Sequence, residues 1–200
     1  MTTAFAMTAA QYLAFERTSE SRHEFCRGEV RELPPKSLTH CRIQSNLLAR
    51  LSGALHDCRW EALGPNMRLK VTATDFYTYA DLLLACSPLE TEDDEDDTLL
   101  NPRVIFEILS PSTESYDRGT KFAHYRSLPS LQEYILVAQD QPLIERFTRL
   151  PQGTWELREF RGLETQFELS AVPVQVRMSL LYQRVEFPAL GLVDRESDPR

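Results

Sequence analysis

The sequence predicts an α/β fold in which a mixed β-sheet is flanked by helices. Helix and strand patterns alternate along the 200 residues in the order helix, strands, helix, strands, helix, strand and hairpin. Residues 81–86 and 103–109 are short, nearly continuous apolar runs, which is typical of buried strands. The composition, 42% apolar and 26% charged, is that of a globular protein. We therefore expect a single domain over residues 1–200, with a polar tail at about residues 188–200.

The N-terminal part of the chain predicts a short helix, a pair of strands and a long helix. Residues 7–17 contain good helix formers. Residues 23–33 alternate around Gly28, which indicates two strands joined by a turn. In residues 39–56 the leucine and isoleucine side chains recur on one face at helical spacing. We expect an amphipathic helix there, with Thr39 as its N-cap.

The middle of the chain predicts strands at residues 67–73 and 81–86, joined by a turn at residues 75–79. A buried strand follows at residues 103–109, and residues 120–127 are typical of a helix.

Three more strands are expected after this helix. Residues 134–138 form an apolar run of the buried type. Residues 143–149 and 154–160 alternate and are separated by Pro-Gln-Gly, which predicts a hairpin.

The net charge of −8 does not by itself exclude a nucleic-acid partner. Seven acidic residues lie within residues 90–97, so the remainder of the chain carries −8 + 7 = −1. We expect this acidic segment to be a solvated loop. The four cysteines have irregular spacing and form no C-x-x-C pair, which suits free thiols in a reducing, cytoplasmic compartment. No apolar run is long enough to cross a membrane.

Two carboxylates stand in apolar surroundings and are candidates for a metal site. Glu107 lies in the middle of one buried run, and Asp81 opens another. Burying an unpaired carboxylate is costly, so both need partners. If the two strands are adjacent, both acids can bind one Mg²⁺ or Mn²⁺ through hard oxygen ligands. Such an ion activates water at a phosphoryl group, and Lys121 is placed to orient that water.

Simpler interpretations of the same three residues stay open at this point. Asp81 could cap a turn, Glu107 could pair with an arginine such as Arg103, and Lys121 could be a surface residue. The pattern alone does not decide between these interpretations and a metal site.

Six segments together resemble the Uma-type family of bacterial proteins, which is placed in the restriction-endonuclease-like PD-(D/E)XK nuclease superfamily. The resemblance covers most of the chain. The segments are TAAQYLAFE at 8–16, RHEFCRGEV at 22–30, YTYADLLL at 77–84, FEILSPST at 106–113, YDRGTKFAHY at 116–125 and PSLQEYILV at 129–137.

The resemblance implies a restriction-endonuclease-like core with Asp81 and Glu107 as the metal-binding acids. The usual lysine position, two residues after the glutamate, is filled by Leu109. In this family the lysine is expected on the following helix, which corresponds to Lys121. A migrated lysine can serve if its ammonium reaches the same point in space.

The resemblance also implies two accessory candidates. Glu24 corresponds to a further acid near the site, and His40 to a histidine that contacts phosphate or lies near the metal. The chain departs from the family pattern at three places. Ala80 replaces a proline, Arg27 replaces an acid, and residues 33–36 replace a small, flexible segment.

These observations predict a metal-dependent nuclease that hydrolyses phosphodiester bonds, with DNA as the expected substrate and Mg²⁺ or Mn²⁺ as the cofactor. A homodimer is expected by analogy with nucleases that cut two strands. Two alternatives remain open. The fold could serve as a module that binds nucleic acid or protein without cleaving, or as a structural dimer whose buried acids pair with arginines.

Overall fold

The computed structural model describes residues 6–56 and 58–187. Its helices are α1 (Ala9–Glu16), α2 (Leu38–Ala54), α3 (Glu114–Tyr116), α4 (Phe122–Tyr125) and α5 (Met178–Leu181). A π-helical turn, Asp117–Lys121, joins α3 to α4. The strands are β1 (His23–Cys26), β2 (Glu29–Glu32), β3 (Trp60–Leu63), β4 (Arg68–Val71), β5 (Phe76–Tyr79), β6 (Leu82–Cys86), β7 (Thr98–Leu99), β8 (Val104–Ile108), β9 (Glu133–Val137), β10 (Leu143–Arg149), β11 (Trp155–Arg161), β12 (Gln166–Glu168) and β13 (Gln175–Arg177).

The strands form two main sheets and a small hairpin. The larger sheet has six strands in the order β11-β10-β9-β8-β6-β3, and the smaller has five in the order β2-β1-β5-β4-β7. Strands β12 and β13 pair only with each other among the described residues. In the larger sheet β8 runs parallel to β9 and antiparallel to β6, so the sheet is mixed. The predicted α/β class with a mixed sheet flanked by helices is confirmed.

The larger sheet carries the core on both faces, with β8 at its centre. Every residue of β8 is buried, because alternate side chains point to opposite layers. One face packs with α2 in a cluster that includes Ile43, Leu47, Leu51, Val104, Phe106 and Ile108. The other face packs with α4 in a cluster that includes Ile105, Leu109, Phe122 and Tyr125. Glu107 shares the second face, because it is two residues from both Ile105 and Leu109 along the chain.

The N-cap of the long helix lies two residues before the predicted one. Ser37, not Thr39, is the N-cap of α2, and its hydroxyl accepts a hydrogen bond from the His40 N–H at 3.0 Å. Ser37 can play this role because Pro34 and Pro35 keep the preceding backbone out of a helix. The earlier start places His40 in the first turn of α2.

The predicted turn at residues 75–79 is wrong. Phe76–Tyr79 is the strand β5, because its aromatic side chains favour a pleated, buried surface. The turn is shorter and precedes it, in the 3₁₀ segment Thr72–Thr74. The chain then passes at Ala80 from the smaller sheet to the larger one, so Asp81 lies at the junction of the two sheets.

Several strands were not predicted, namely β3, β7 and the β12–β13 hairpin.

The expected polar tail at residues 188–200 lies outside the described residues. Within residues 6–56 and 58–187, no helix is both long and apolar enough to span a bilayer.

Candidate active site

The two nominated acids lie on neighbouring strands. Leu82 of β6 stands opposite Phe106 of β8, and extending this antiparallel register by one residue places Asp81 opposite Glu107. The Asp81 N–H donates to the Phe106 carbonyl at 3.2 Å, and the Ile108 N–H donates to Asp81 Oδ2 at 2.7 Å. The backbone positions of both acidic residues are therefore fixed by the pairing of the two strands.

Asp81 is buried and held by several donors. His40 Nε2 donates to Asp81 Oδ1 at 2.8 Å, and Gln44 Nε2 lies 3.3 Å from the same oxygen. Lys36 Nζ lies 3.3 Å from Oδ1 as well. Burial acts to raise the pKa of Asp81, but the His40 hydrogen bond and the Lys36 charge lower it below its ordinary value. Asp81 does not cap a turn; it is an ionised acid at a sheet junction.

Glu107 is buried beside a lysine and a tyrosine. Its Oε1 lies 2.8 Å from Lys121 Nζ and accepts a hydrogen bond from the Tyr125 hydroxyl at 2.7 Å. Oε2 makes no hydrogen bond with any residue in the described part of the chain. Burial raises the pKa of Glu107 to about 8, against the lowering effect of Lys121. The partner of Glu107 is thus a lysine, and the suggested pair with Arg103 does not form.

Lys121 is not a surface residue. Its side chain is 5% exposed, and its ammonium lies 3.5 Å from Glu24 Oε1 and 3.9 Å from Asp117 Oδ1. Burial acts to lower the pKa of Lys121, but Glu107 and the other two acids raise it above its ordinary value. The π-helical turn that ends at Lys121 therefore places a charged ammonium beside Glu107, which belongs to β8.

Glu24 belongs to the same cluster. The β1–β2 hairpin sets Glu24 opposite Arg31, whose guanidinium donates to Glu24 Oε2 at 2.5 Å. The Thr78 hydroxyl donates to Oε1 at 2.6 Å, and the Tyr116 hydroxyl to Oε2 at 3.0 Å. Burial acts to raise the pKa of Glu24, but Lys121 and the hydrogen bonds from Thr78 and Arg31 lower it. Glu24 is positioned to hold the lysine in place.

Sequence reasoning also missed several residues around the acids, among them Lys36, Gln44, Tyr125 and Gln139. Helical spacing carries a signal for two of them, since Gln44 lies four residues after His40 and Tyr125 four after Lys121. The other two depend on tertiary packing. Gln139 Nε2 donates to the Leu109 carbonyl at 2.7 Å, and its Oε1 accepts from the Ser37 hydroxyl at 2.9 Å.

A cleft of about 180 Å³ leads to Glu107 and Lys121. Arg31 lies at the mouth of this cleft, and its side chain is 57% exposed. The central carbon of its guanidinium lies 4.1 Å from the centroid of the Tyr116 ring. The segment of residues 34–36 borders the cleft and also a second cavity of about 560 Å³, which reaches Asp81. The segment therefore borders both the cleft that leads to Glu107 and the cavity that reaches Asp81.

The donor set fits a divalent ion of the magnesium type. Among residues 6–56 and 58–187, no group of three or more His, Cys, Asp or Glu side chains is arranged to hold a metal. Mg²⁺ needs fewer protein ligands, because it keeps several waters and takes oxygens from substrate phosphates. Asp81 and Glu107 supply hard oxygens from adjacent strands, and Glu107 Oε2 is uncommitted. Lys36 Nζ lies 3.3 Å from Asp81 Oδ1, so an ion bound to this oxygen would have to displace the ammonium.

Comparison with known proteins extends this picture. A family model described as "Uma2: Putative restriction endonuclease" matches residues 9–181. Two uncharacterized proteins of Synechocystis sp. (strain ATCC 27184 / PCC 6803 / Kazusa) are similar. The first, sll1609, is 30% identical over 168 residues, which cover 84% of this chain and 95% of that protein. The second, slr1290, is 26% identical over 181 residues, with 90% and 94% covered.

A solved structure has the same fold. It is described as a putative nuclease belonging to DUF820 from Anabaena variabilis ATCC 29413. The superposition has a TM-score of 0.72 at 17% sequence identity and covers 88% of this chain and 97% of that one. At this level of identity the likeness establishes the fold alone.

Proposed function

Because the chain belongs to the Uma2 family, as its motifs predicted, we propose that it is a metal-dependent nuclease that hydrolyses phosphodiester bonds in DNA. Asp81 and Glu107 would hold one Mg²⁺ or Mn²⁺, and Lys121 would act on the attacking water. The observation that carries the proposal is the 2.8 Å contact between Lys121 Nζ and Glu107 Oε1. It joins a lysine from the helix to an acid from the strand, as a migrated catalytic lysine requires.

Each side chain has a separate task in this proposal. A bound divalent ion polarises a phosphoryl oxygen and lowers the pKa of a coordinated water. Asp81 offers an oxygen whose direction is fixed by the His40 hydrogen bond at 2.8 Å. Glu107 offers Oε2 after it gives up its proton. Lys121 carries its positive charge into the cleft, where it orients the water and offsets charge that develops on the phosphate.

Two further cations are placed to contact the substrate backbone. The side chains of Arg31 and Lys36 are 57% and 37% exposed and border the same cleft. Phosphate oxygens are the usual partners of such residues in nucleic-acid complexes. Because both side chains are exposed, each can leave its carboxylate partner in the protein and bind a phosphate instead.

The test is cleavage of a panel of nucleic acids, made up of supercoiled plasmid, linear duplex, single strands, branched DNA and RNA. Wild type is compared with Glu107→Gln and Lys121→Met, which remove the acid and the ammonium but keep side-chain size. Glu164→Gln, in an exposed loop, is the matched control. We expect cutting that needs Mg²⁺ or Mn²⁺, falls about 10²–10³-fold in each site variant and is unchanged in the control. Full activity in both site variants would refute the assignment.

A binding module without cleavage is the second candidate, and one observation favours it. The buried acids already have polar partners within the fold, His40 and Lys36 for Asp81 and Lys121 for Glu107. The fold is therefore complete without a metal. Fluorescence anisotropy with labelled oligonucleotides in EDTA distinguishes the two. Binding without metal that is unchanged in Asp81→Asn and Glu107→Gln, with no cleavage of the panel, would favour the binding module.

The alternative of a structural dimer held by acid–arginine pairs is not supported at these two positions. Neither Asp81 nor Glu107 pairs with an arginine among the described residues. A homodimer of a DNA-cutting enzyme and a cytoplasmic location remain proposals that follow from the nuclease proposal.

A further inference from the structure

The larger sheet has a long, unpaired edge at β11. Trp155–Arg161 pairs with β10 on its inner side, and no described strand pairs with its outer side. Most of its residues are exposed, including Leu157 at 48%. An exposed edge of this length offers a row of backbone donors and acceptors, which proteins usually pair, cover or interrupt.

The hydrogen-bond pattern shows which residues point outward. At the two ends of the β10–β11 ladder, the Leu150 N–H donates to the Thr154 carbonyl at 2.8 Å and the Gly162 N–H to the Pro142 carbonyl at 2.9 Å. In an antiparallel pair, hydrogen-bonded positions alternate. The even-numbered residues of β11 therefore bond inward to β10. Those with odd numbers direct their N–H and C=O groups to the free edge.

This parity limits how two copies of β11 can meet. A two-fold axis perpendicular to the sheet keeps each side chain on its own face, so opposing residues must differ by an even number. For any such axis, the odd-numbered residues of one copy, which have the free backbone groups, pair with odd-numbered residues of the other. An axis at Glu156 or Arg158 would bring like charges together, and an axis at Phe160 would pair only residues 159–161 of β11 with one another. An axis at Glu159 or Arg161 would bring like charges together. An axis at Trp155 would set the strand against the turn at residues 151–153.

We propose that β11 pairs with β11 of a second copy of this chain, antiparallel, about a two-fold axis at Leu157. In this register the exposed Leu157 side chains meet each other on the axis. Glu156 of each copy stands opposite Arg158 of the other, so opposite charges face each other twice. Each outward pair exchanges two backbone hydrogen bonds. The two six-stranded sheets become one continuous sheet.

The charges on the strand suit this occupant. Glu156 makes no ion pair with any described residue and is exposed, so it is free to take a partner from a second copy. Arg158 pairs with Glu168 at 2.6 Å but is 56% exposed, which leaves donors for a second carboxylate. The cleft that leads to Glu107 contains no residue of β11, so pairing leaves it open.

Molar mass in solution tests the proposal without reference to nuclease activity. Light scattering during gel filtration should give the mass of two chains for the wild type. Glu156→Arg and Arg158→Glu each place like charges opposite one another twice, and each should weaken the dimer at least tenfold. The double variant Glu156→Arg/Arg158→Glu restores the complementarity and should recover the dimer. Glu164→Arg, on an exposed loop, is the matched control and should not change the mass.

A backbone variant tests the same edge by another route. Leu157→Pro removes one outward N–H, but the inward bonds of β11 to β10 come from other residues. It should give a monomer with a circular dichroism spectrum like that of the wild type. A wild type that stays monomeric at all measurable concentrations would overturn the proposal. So would a wild-type dimer whose dissociation constant is unchanged by both single charge reversals.

Discussion

Replacing Lys36 by methionine should strengthen binding of a divalent metal ion. The Lys36 ammonium lies 3.3 Å from Asp81 Oδ1, one of the two oxygens that Asp81 would offer to a metal. The ammonium and the ion are both cations and compete for this oxygen. Methionine keeps an unbranched side chain of similar length but removes the charge.

The size of the effect follows from the exposure of the lysine. Its side chain is 37% exposed, so solvent screens much of its attraction to the buried carboxylate. A partly exposed pair of this kind contributes about 1 kcal/mol. Since about 1.4 kcal/mol corresponds to a tenfold change in a dissociation constant, Mn²⁺ should bind about fivefold more tightly to the variant.

Isothermal titration with Mn²⁺ at fixed pH measures the effect directly. Lys70→Met is the matched control, because it removes the same charge from an ion pair with Glu92 on the smaller sheet. The control should bind Mn²⁺ as the wild type does. Equal or weaker binding by Lys36→Met would show that the ammonium does not compete with the ion at Asp81.

Two further predictions concern the metal-free protein. Burial raises the pKa of Glu107 from its ordinary 4.5 to about 8, so between these values the folded state binds more protons and stability falls as pH rises. The free energy of unfolding is measured against pH in EDTA, and the slope of Glu107→Gln is subtracted from that of the wild type. The subtraction is needed because burial lowers the pKa of His124, which contributes a slope of opposite sign. Equal slopes in the two proteins would contradict the raised pKa of Glu107. His40→Phe removes a donor from the buried Asp81 carboxylate, so the free energy of unfolding in urea should fall by about 1–3 kcal/mol. An unchanged urea midpoint would show that this bond does not stabilise the fold.

The parts of the fold with a clear period could be predicted from the sequence. Residues 143–149 and 154–160 alternate, and the structure has the hairpin of β10 and β11 within one residue of these bounds. The strand at residues 103–109 was recognised from its apolar run. Phe76–Tyr79 was not, because a run of four residues is too short for its period to distinguish a strand from a turn. Only the packing of the smaller sheet decides between the two.

The sequence is enough to predict the acids of the candidate site, but not the contacts that these acids make. Asp81 and Glu107 are conspicuous because carboxylates in apolar runs need partners. Lys121 is a candidate from the sequence pattern and from the family resemblance, but its distance to Glu107 depends on where the π-helical turn crosses the sheet. The contact of Lys36 with Asp81 joins a proline-rich segment to a distant strand. No local pattern encodes such a contact, because it is made only when the two sheets come together.

The most direct test of the metal site is the anomalous signal of Mn²⁺ in crystals of the wild-type protein. A single peak should lie between the carboxylates of Asp81 and Glu107, within direct coordination distance of an oxygen of each. The Lys36 ammonium should have left Asp81 Oδ1, and Lys121 should remain beside Glu107. A peak bound to other residues, or no peak at saturating Mn²⁺, would contradict the proposal that these two acids form the metal centre.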